Sequence, residues 1–226
     1  MNSDSNMHSY SNNFGFGFED ENFICFFGNK SGEAAQLAAT FSDLTFFRVR
    51  QTHSDIVIPA SEIYTEADAH FTQVPGRALL IATADCMPIM IYSPSTCSVA
   101  AVHAGWRGVE SRITAIALAK ITSPGDRPVV FIGPSILKSS FEVDEDVYLR
   151  LCKAAVNLEP EKIAERRGEK FFVDLPKIVE SQIIDVAPQA KIFYSNIDTK
   201  TDENFFSYRR GKQTSERNLS FISLKK

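Results

Sequence analysis

Between residues 78 and 109 the chain runs through three short apolar, β-prone segments and then a glycine-bracketed turn, and no other stretch restricts its folding so strongly. Residues 78–82 (ALLIA) and 88–92 (PIMIY) flank Thr83-Ala84-Asp85-Cys86, and residues 98–102 (SVAAV) end on His103. Apolar runs of this length, without polar alternation, suit strands buried on both faces. Past His103, Gly105 and Gly108 bracket Trp106 and Arg107, after which Ile113, Ile116, Ala117 and Ile121 recur at helical spacing. The turn is therefore expected to open a helix, where unpaired N–H groups and the helix dipole favour an anion.

A thiol and an imidazole at the ends of neighbouring buried strands can meet in space, and His53 supplies a third donor at the end of the strand-like run 46–49. His53, Cys86 and His103 would make a Cys/His₂ set that suits zinc and leaves its fourth tetrahedral position open. Each is equally consistent with a plainer role, because a lone Cys in an apolar run is commonly a small core residue and a lone His a hydrogen-bonded structural group.

The rest of the chain is organised around this centre. Residues 1–13, rich in Ser and Asn, read as a disordered tail, and 14–226 as one catalytic domain. Phe14-Gly15-Phe16-Gly17-Phe18 lacks the third glycine of a dinucleotide fingerprint. Strands are expected at 23–27, 46–50, 55–59, 129–132, 191–194, 205–208 and 219–224, and helices at 33–40, 144–157 and 175–186. Segments 62–71 and 158–170 read as polar loops, which would leave His70 a pocket or surface group. Strands with interspersed but not alternating helices argue a mixed α+β fold with mixed sheets.

Net charge −4 and pI about 5.6 give no basic footprint for nucleic acid, and no apolar run approaches a membrane span. Cysteines at 25, 86, 97 and 152 form no close-spaced framework, and the N-terminus lacks a basic region followed by an apolar one. A cytoplasmic monomer acting on a small molecule is the expectation.

Gln51-Thr52-His53-Ser54, Thr83-Ala84-Asp85-Cys86-Met87-Pro88-Ile89 and Ala101-Val102-His103-Ala104-Gly105-Trp106-Arg107-Gly108 resemble the motifs of the laccase-domain proteins. These are also called peptidoglycan editing factor or multicopper polyphenol oxidoreductase proteins, and are regarded as zinc-dependent purine nucleoside enzymes. Further matches follow in order: the ADA-type motif at Ala67-Asp68-Ala69, Gly133-Pro134-Ser135-Ile136, Phe141-Glu142-Val143, Phe172-Val173-Asp174-Leu175 and Phe205-Phe206-Ser207-Tyr208-Arg209-Arg210. The likeness spans the chain from about Phe23 onward. Two departures stand out: Lys30 occupies the place of an expected Arg, which keeps charge but loses the bidentate fork, and the family's TGR reads Thr214-Ser215-Glu216-Arg217.

The resemblance implies a layered α/β/β/α sandwich and zinc held by His53, Cys86 and His103. It implies phosphorolysis of adenosine, inosine, guanosine or methylthioadenosine, and hydrolytic deamination of adenosine at purine C6 by a zinc-activated water. Within it, Cys86, Asp85 and His103 are the catalytic set, with Asp85 a proton shuttle or a group orienting a ligand. Arg107, Lys30 and Arg209 are the substrate contacts, and Arg107 suits phosphate. Three other readings use the same residues. Copper, which outcompetes zinc on raw affinity, could substitute and support phenol oxidation, although a multicopper centre needs more imidazoles than four histidines supply. A closed structural zinc site would take Cys97 or His70 as fourth ligand. A peptidoglycan-editing hydrolase would use Cys86 as a nucleophile paired with His103.

Overall fold

The computed structural model describes residues 7–211 and 215–226. In chain order they form strands β1 (His8–Asn12), β2 (Gly15–Glu19) and β3 (Phe23–Gly28), helix α1 (Ala34–Thr40), and strands β4 (Thr45–Arg48), β5 (Val57–Pro59), β6 (Ala69–Thr72), β7 (Arg77–Thr83), β8 (Met87–Ser93) and β9 (Ser98–Ala104). Helices α2 (Trp106–Glu110) and α3 (Ile113–Ile121) lead to β10 (Val129–Ile132), β11 (Glu142–Val143), α4 (Glu145–Ala154), α5 (Pro160–Ile163), β12 (Ala164–Arg167) and β13 (Lys170–Val173). The chain closes with α6 (Leu175–Val186), β14 (Lys191–Tyr194), α7 (Tyr208–Gly211) and β15 (Asn218–Leu224).

Two six-stranded mixed sheets dominate, in the orders β1-β2-β3-β15-β7-β4 and β14-β10-β8-β9-β6-β5, with a small sheet β11-β13-β12 beside them. Strand periodicity assigns each face a partner. From β7, Leu79 and Ile81 join Phe23, Phe27 and Ile222 against Met90, Val99, Ala101 and Phe131 of the second sheet, forming an inter-sheet core. The alternate residues Ala78 and Leu80 turn outward with Phe221 and Leu219 to pack Leu37 of α1. On the far side, Ile89, Ile91, Ala100 and Val102 meet Ile113, Ala117 and Ile121 of α3 and Ile178, Val179 and Ile183 of α6. The result is the expected α/β/β/α sandwich, and the unbroken apolar runs of β8 and β9 follow from burial on both faces.

Several local expectations are corrected. Residues 7–13, within the expected disordered tail, contribute β1, an edge strand of mostly exposed polar side chains whose order comes from pairing with β2 and from Tyr10 stacking on Phe26; residues 1–6 lie outside the described chain. The polar loop 62–71 ends in β6, where His70 is buried and opposite Ala101 on the inter-sheet face, not in a pocket or at the surface. Segment 158–170 is helix α5, strand β12 and the start of β13, held by pairing of Ala164 to Val173 and Arg167 to Lys170. Segment 205–208 is not a strand. It turns into α7, because the Phe206 N–H and carbonyl are taken by the Asn218 side chain and not by a sheet neighbour. The helix opened at Gly105 breaks after one short turn, with Arg112 left-handed at φ 59°. The four cysteines are free, and among the described residues no helix is long and apolar enough to cross a membrane.

Candidate metal centre and active-site pocket

The three ligand candidates arrive from separate elements. His103 sits near the end of β9, two residues past Ala101 and on the same inter-sheet face. Cys86 closes the turn between β7 and β8, where Asp85 is left-handed at φ 84°, and His53 lies in the loop before β5, itself left-handed at φ 61°. Their donor atoms lie within 4.8 Å of one another, and His53 Nε2 is 3.8 Å from Cys86 Sγ. The two imidazoles meet edge to face with centroids 4.8 Å apart.

One buried carboxylate, Asp68, organises this convergence. Its Oδ1 receives His103 Nδ1 at 2.7 Å and the His53 backbone N–H at 3.0 Å, while Oδ2 receives the N–H groups of Thr52 and Ser54 at 3.1 and 2.6 Å and the Ser54 hydroxyl at 2.7 Å. Engaging Nδ1 leaves His103 Nε2 for a ligand, the arrangement that metal-binding histidines ordinarily show. Burial acts to raise the Asp68 carboxyl, but the His103 and Ser54 hydrogen bonds overcome it and hold the group well below the usual carboxylate range. Burial likewise acts to depress His103, yet Asp68 and Cys86 raise it to about 9. Burial opposes ionisation of Cys86, yet its hydrogen bonds with His103 and His53 bring the thiol down to about 6.

A metal fits these residues. A tetrahedral ion with Zn–S near 2.3 Å and Zn–N near 2.1 Å separates its S and N donors by about 3.6 Å, close to the observed spacing of Cys86 and His53. The neighbouring turn is also cut to size: a Cβ on Gly105 would stand 2.9 Å from Cys86 Sγ and 3.0 Å from His53 Cδ2. Neither His70 nor Cys97 joins the cluster, so the closed four-ligand site loses both of its proposed fourth ligands.

The cluster opens into a cavity of about 1060 Å³, which also takes in Lys30, Asp85, Arg107 and Arg209. Each is a predicted site residue, and the fold brings all four to the same pocket as the ligands. Asp85 is nearly buried and fully engaged: Oδ1 accepts from Thr199 Oγ1 at 2.7 Å and Oδ2 from the Arg209 backbone N–H at 2.7 Å. Arg209 Nη1 donates to the Glu142 carbonyl at 3.0 Å, and Lys30 Nζ to the Glu203 carbonyl at 2.6 Å. Arg107 is exposed on the cavity wall, its guanidinium 4.3 Å from the centroid of Trp106, with no hydrogen-bond partner among the described residues. Thr214, part of the departed TGR segment, lies outside the described residues, whereas Ser215, Glu216 and Arg217 line the cavity. Sequence reasoning missed the role of Asp68. The only signal was its place in the ADA-type motif, since nothing in the local pattern says which ring it orients.

A mixed-sheet α/β/β/α sandwich with a Cys/His₂ cluster at one end of its inter-sheet layer is a specific combination. The chain belongs to the multi-copper polyphenol oxidoreductase laccase family, whose model matches residues 4–225. It is 34% identical over 171 residues to a purine nucleoside phosphorylase of Bacteroides thetaiotaomicron, covering 73% of this chain and 63% of that protein. It is 31% identical over 180 residues to the purine nucleoside phosphorylase YfiH of Escherichia coli, covering 78% and 72%, and 31% identical over 200 residues to one of Deinococcus radiodurans, covering 87% and 76%. The fold superposes on YlmD of Geobacillus stearothermophilus with a TM-score of 0.85 at 21% identity, covering 96% and 98% of the two chains. It superposes on NMB0706 of Neisseria meningitidis with a TM-score of 0.82 at 23% identity, covering 98% and 100%.

Proposed function

We propose that this protein is a zinc-dependent purine nucleoside phosphorylase, acting on adenosine, inosine, guanosine or methylthioadenosine, and that the same centre deaminates adenosine. The observation that carries this reading is the placement of Arg107, its donors unclaimed among the described residues, on the wall of the cavity into which His53, Cys86 and His103 converge. The names of the relatives supply the substrate class. Zinc bound by these three residues would supply Lewis-acid polarisation of an oxygen.

The chain's own groups account for the remaining needs of phosphorolysis. A phosphate oxygen attacks the ribosyl C1′, the bond from C1′ to the purine nitrogen breaks, and the base leaves with the proton that hydrogenphosphate gives up. A guanidinium grips two phosphate oxygens at once, and the ring of Trp106 beneath it limits the orientations Arg107 can adopt. Asp85, held by Thr199 and Arg209, ties the turn bearing Cys86 to the segment leading into α7, so its geometry suits orienting the pocket more than shuttling protons. Copper can replace zinc on such donors. A full multicopper centre has no support: of the four histidines, His70 is enclosed in the inter-sheet core and His8 stands on the edge strand beside Glu19.

The test is phosphate-dependent release of base from inosine, by protein purified without added metal and analysed for zinc. Cys86→Ala should lose zinc and turnover together. Arg107→Ala should keep zinc and raise the KM for phosphate by about one to two powers of ten, the worth of a charge-assisted hydrogen bond, while adenosine deamination falls much less. Full zinc and near-normal turnover in Cys86→Ala would overturn the metal assignment. A second reading draws on the lowered Cys86 thiol beside two imidazoles, which also describes a hydrolase nucleophile. It requires peptidoglycan amide cleavage by metal-free protein and loss of that activity on alkylation of Cys86.

A further inference from the structure

The cavity does not stop at the metal ligands. From Cys86 it runs back along β7, past Ala84, Ala82 and Leu80, and Leu219 of the neighbouring β15 joins its floor. Leu219 pairs with Ala82, and Arg48 of β4 pairs with Leu80, so these side chains share the outer face of the first sheet. The distance from Ala84 to Leu80 is about 13 Å at strand rise. Two alanines where bulkier residues would fill the space leave an apolar trough, with Phe206 and Tyr208 along it and Tyr208 56% exposed. Gln51 locks this floor to the His53 loop, its side-chain amide donating to the Ala82 carbonyl at 2.8 Å and accepting the Ala82 N–H at 2.9 Å.

At the outer end several polar groups are committed. Glu33 caps α1, Lys30 bonds the Glu203 carbonyl, and Arg50 pairs with Glu66 at 2.9 Å. Arg48 lines the same end, exposed and, among the described residues, without a hydrogen-bond or carboxylate partner. An apolar trough with a guanidinium at its outer end, a planar group that can only donate, matches a flat heteroaromatic base presenting two acceptors.

We propose that the trough over Ala82 and Ala84 is the subsite for the purine, and that Arg48 selects 6-oxopurines by donating to O6 and N7. This rests on the phosphorylase reading above and not on deamination, which needs C6 turned toward His53, Cys86 and His103 instead of Arg48. A 6-oxopurine offers two adjacent acceptors to the guanidinium, whereas a 6-aminopurine sets an N–H donor against it, so inosine and guanosine are favoured over adenosine.

The zinc-loaded full-length protein and its variants are compared by steady-state cleavage of inosine and adenosine, and by binding of free hypoxanthine and adenine followed through Trp106, the only tryptophan in the chain and a cavity residue. Ala82→Val and Ala82→Leu should raise the inosine KM in order of size, by about tenfold or more for Leu, with zinc content and phosphate KM unchanged. Arg48→Ala should reduce the preference for inosine over adenosine by about 5- to 100-fold, and Arg48→Lys should restore part of it. Arg48 is exposed, so its variants carry the test if Ala82→Leu does not fold. A wild type that cleaves nucleosides with no 6-oxopurine preference, or variants that leave KM and preference unchanged, would overturn the subsite alone. A wild type that neither cleaves a nucleoside nor binds a free base would overturn the phosphorylase reading with it.

Discussion

A single buried carboxylate fixes two of the three proposed metal ligands. Asp68 orients His103 through Nδ1 and gathers the N–H groups of Thr52, His53 and Ser54, which holds His53 in its left-handed conformation. Such outer carboxylates are worth roughly 10- to 100-fold in metal affinity. Asp68→Asn should therefore weaken zinc binding by about that factor, because an amide accepts at one atom only and turns N–H groups toward other donors. Competition against a chromophoric chelator measures it. Unchanged affinity in a folded variant would show that the His53 loop is ordered by other contacts.

At the scale of elements, the turn from β9 to α2 is what admits the cluster. Gly105 has φ −73° and ψ 171°, which alanine adopts freely, so its requirement is one of space and not of backbone freedom. Gly105→Ala would press a methyl against Cys86 Sγ and His53. The expected outcome is reduced zinc content in a variant whose metal-free melting temperature stays near that of the wild type, read by metal analysis and thermal unfolding. A normal zinc content would mean that the ligands relax around the added methyl. The same element shows why helix periodicity was only half informative. Ile113, Ala117 and Ile121 are buried as their spacing required, but nothing in that spacing marks the break at Arg112, which is left-handed and whose side chain pairs with Asp185 just before the C-terminus of α6.

For the whole molecule, the inter-sheet core carries a titratable group. His70 is enclosed there with Nε2 lacking a partner, and burial brings it down to about 4. Below pH 6.5 the unfolded chain binds a proton that the folded chain refuses, so stability falls as pH drops from about 6.5 to 4 and this contribution levels off below that. The loss is on the order of 3 kcal/mol. Urea unfolding at stepped pH should show it, and His70→Leu should flatten the slope in this window. An equally steep slope in the variant would assign the acid sensitivity to other groups.

The sequence by itself determined the central strands and the helices over α1, α4 and α6, because burial on both faces and glycine turns are written in consecutive residues; it offered His53, Cys86 and His103 as donors, but their convergence rested on the motif resemblance. Matched motifs added the order of the layers. Tertiary structure alone decided what depends on partners distant along the chain: β1 is ordered by pairing with β2 and by Tyr10 stacking on Phe26, 205–208 bends because Asn218 captures Phe206, and Lys30 and Arg209 reach the pocket already bonded to carbonyls. The role of Asp68 belongs to the same category. Its carboxylate acts on residues 15 and 35 positions away, and a hydrogen bond across that separation leaves no local pattern to read.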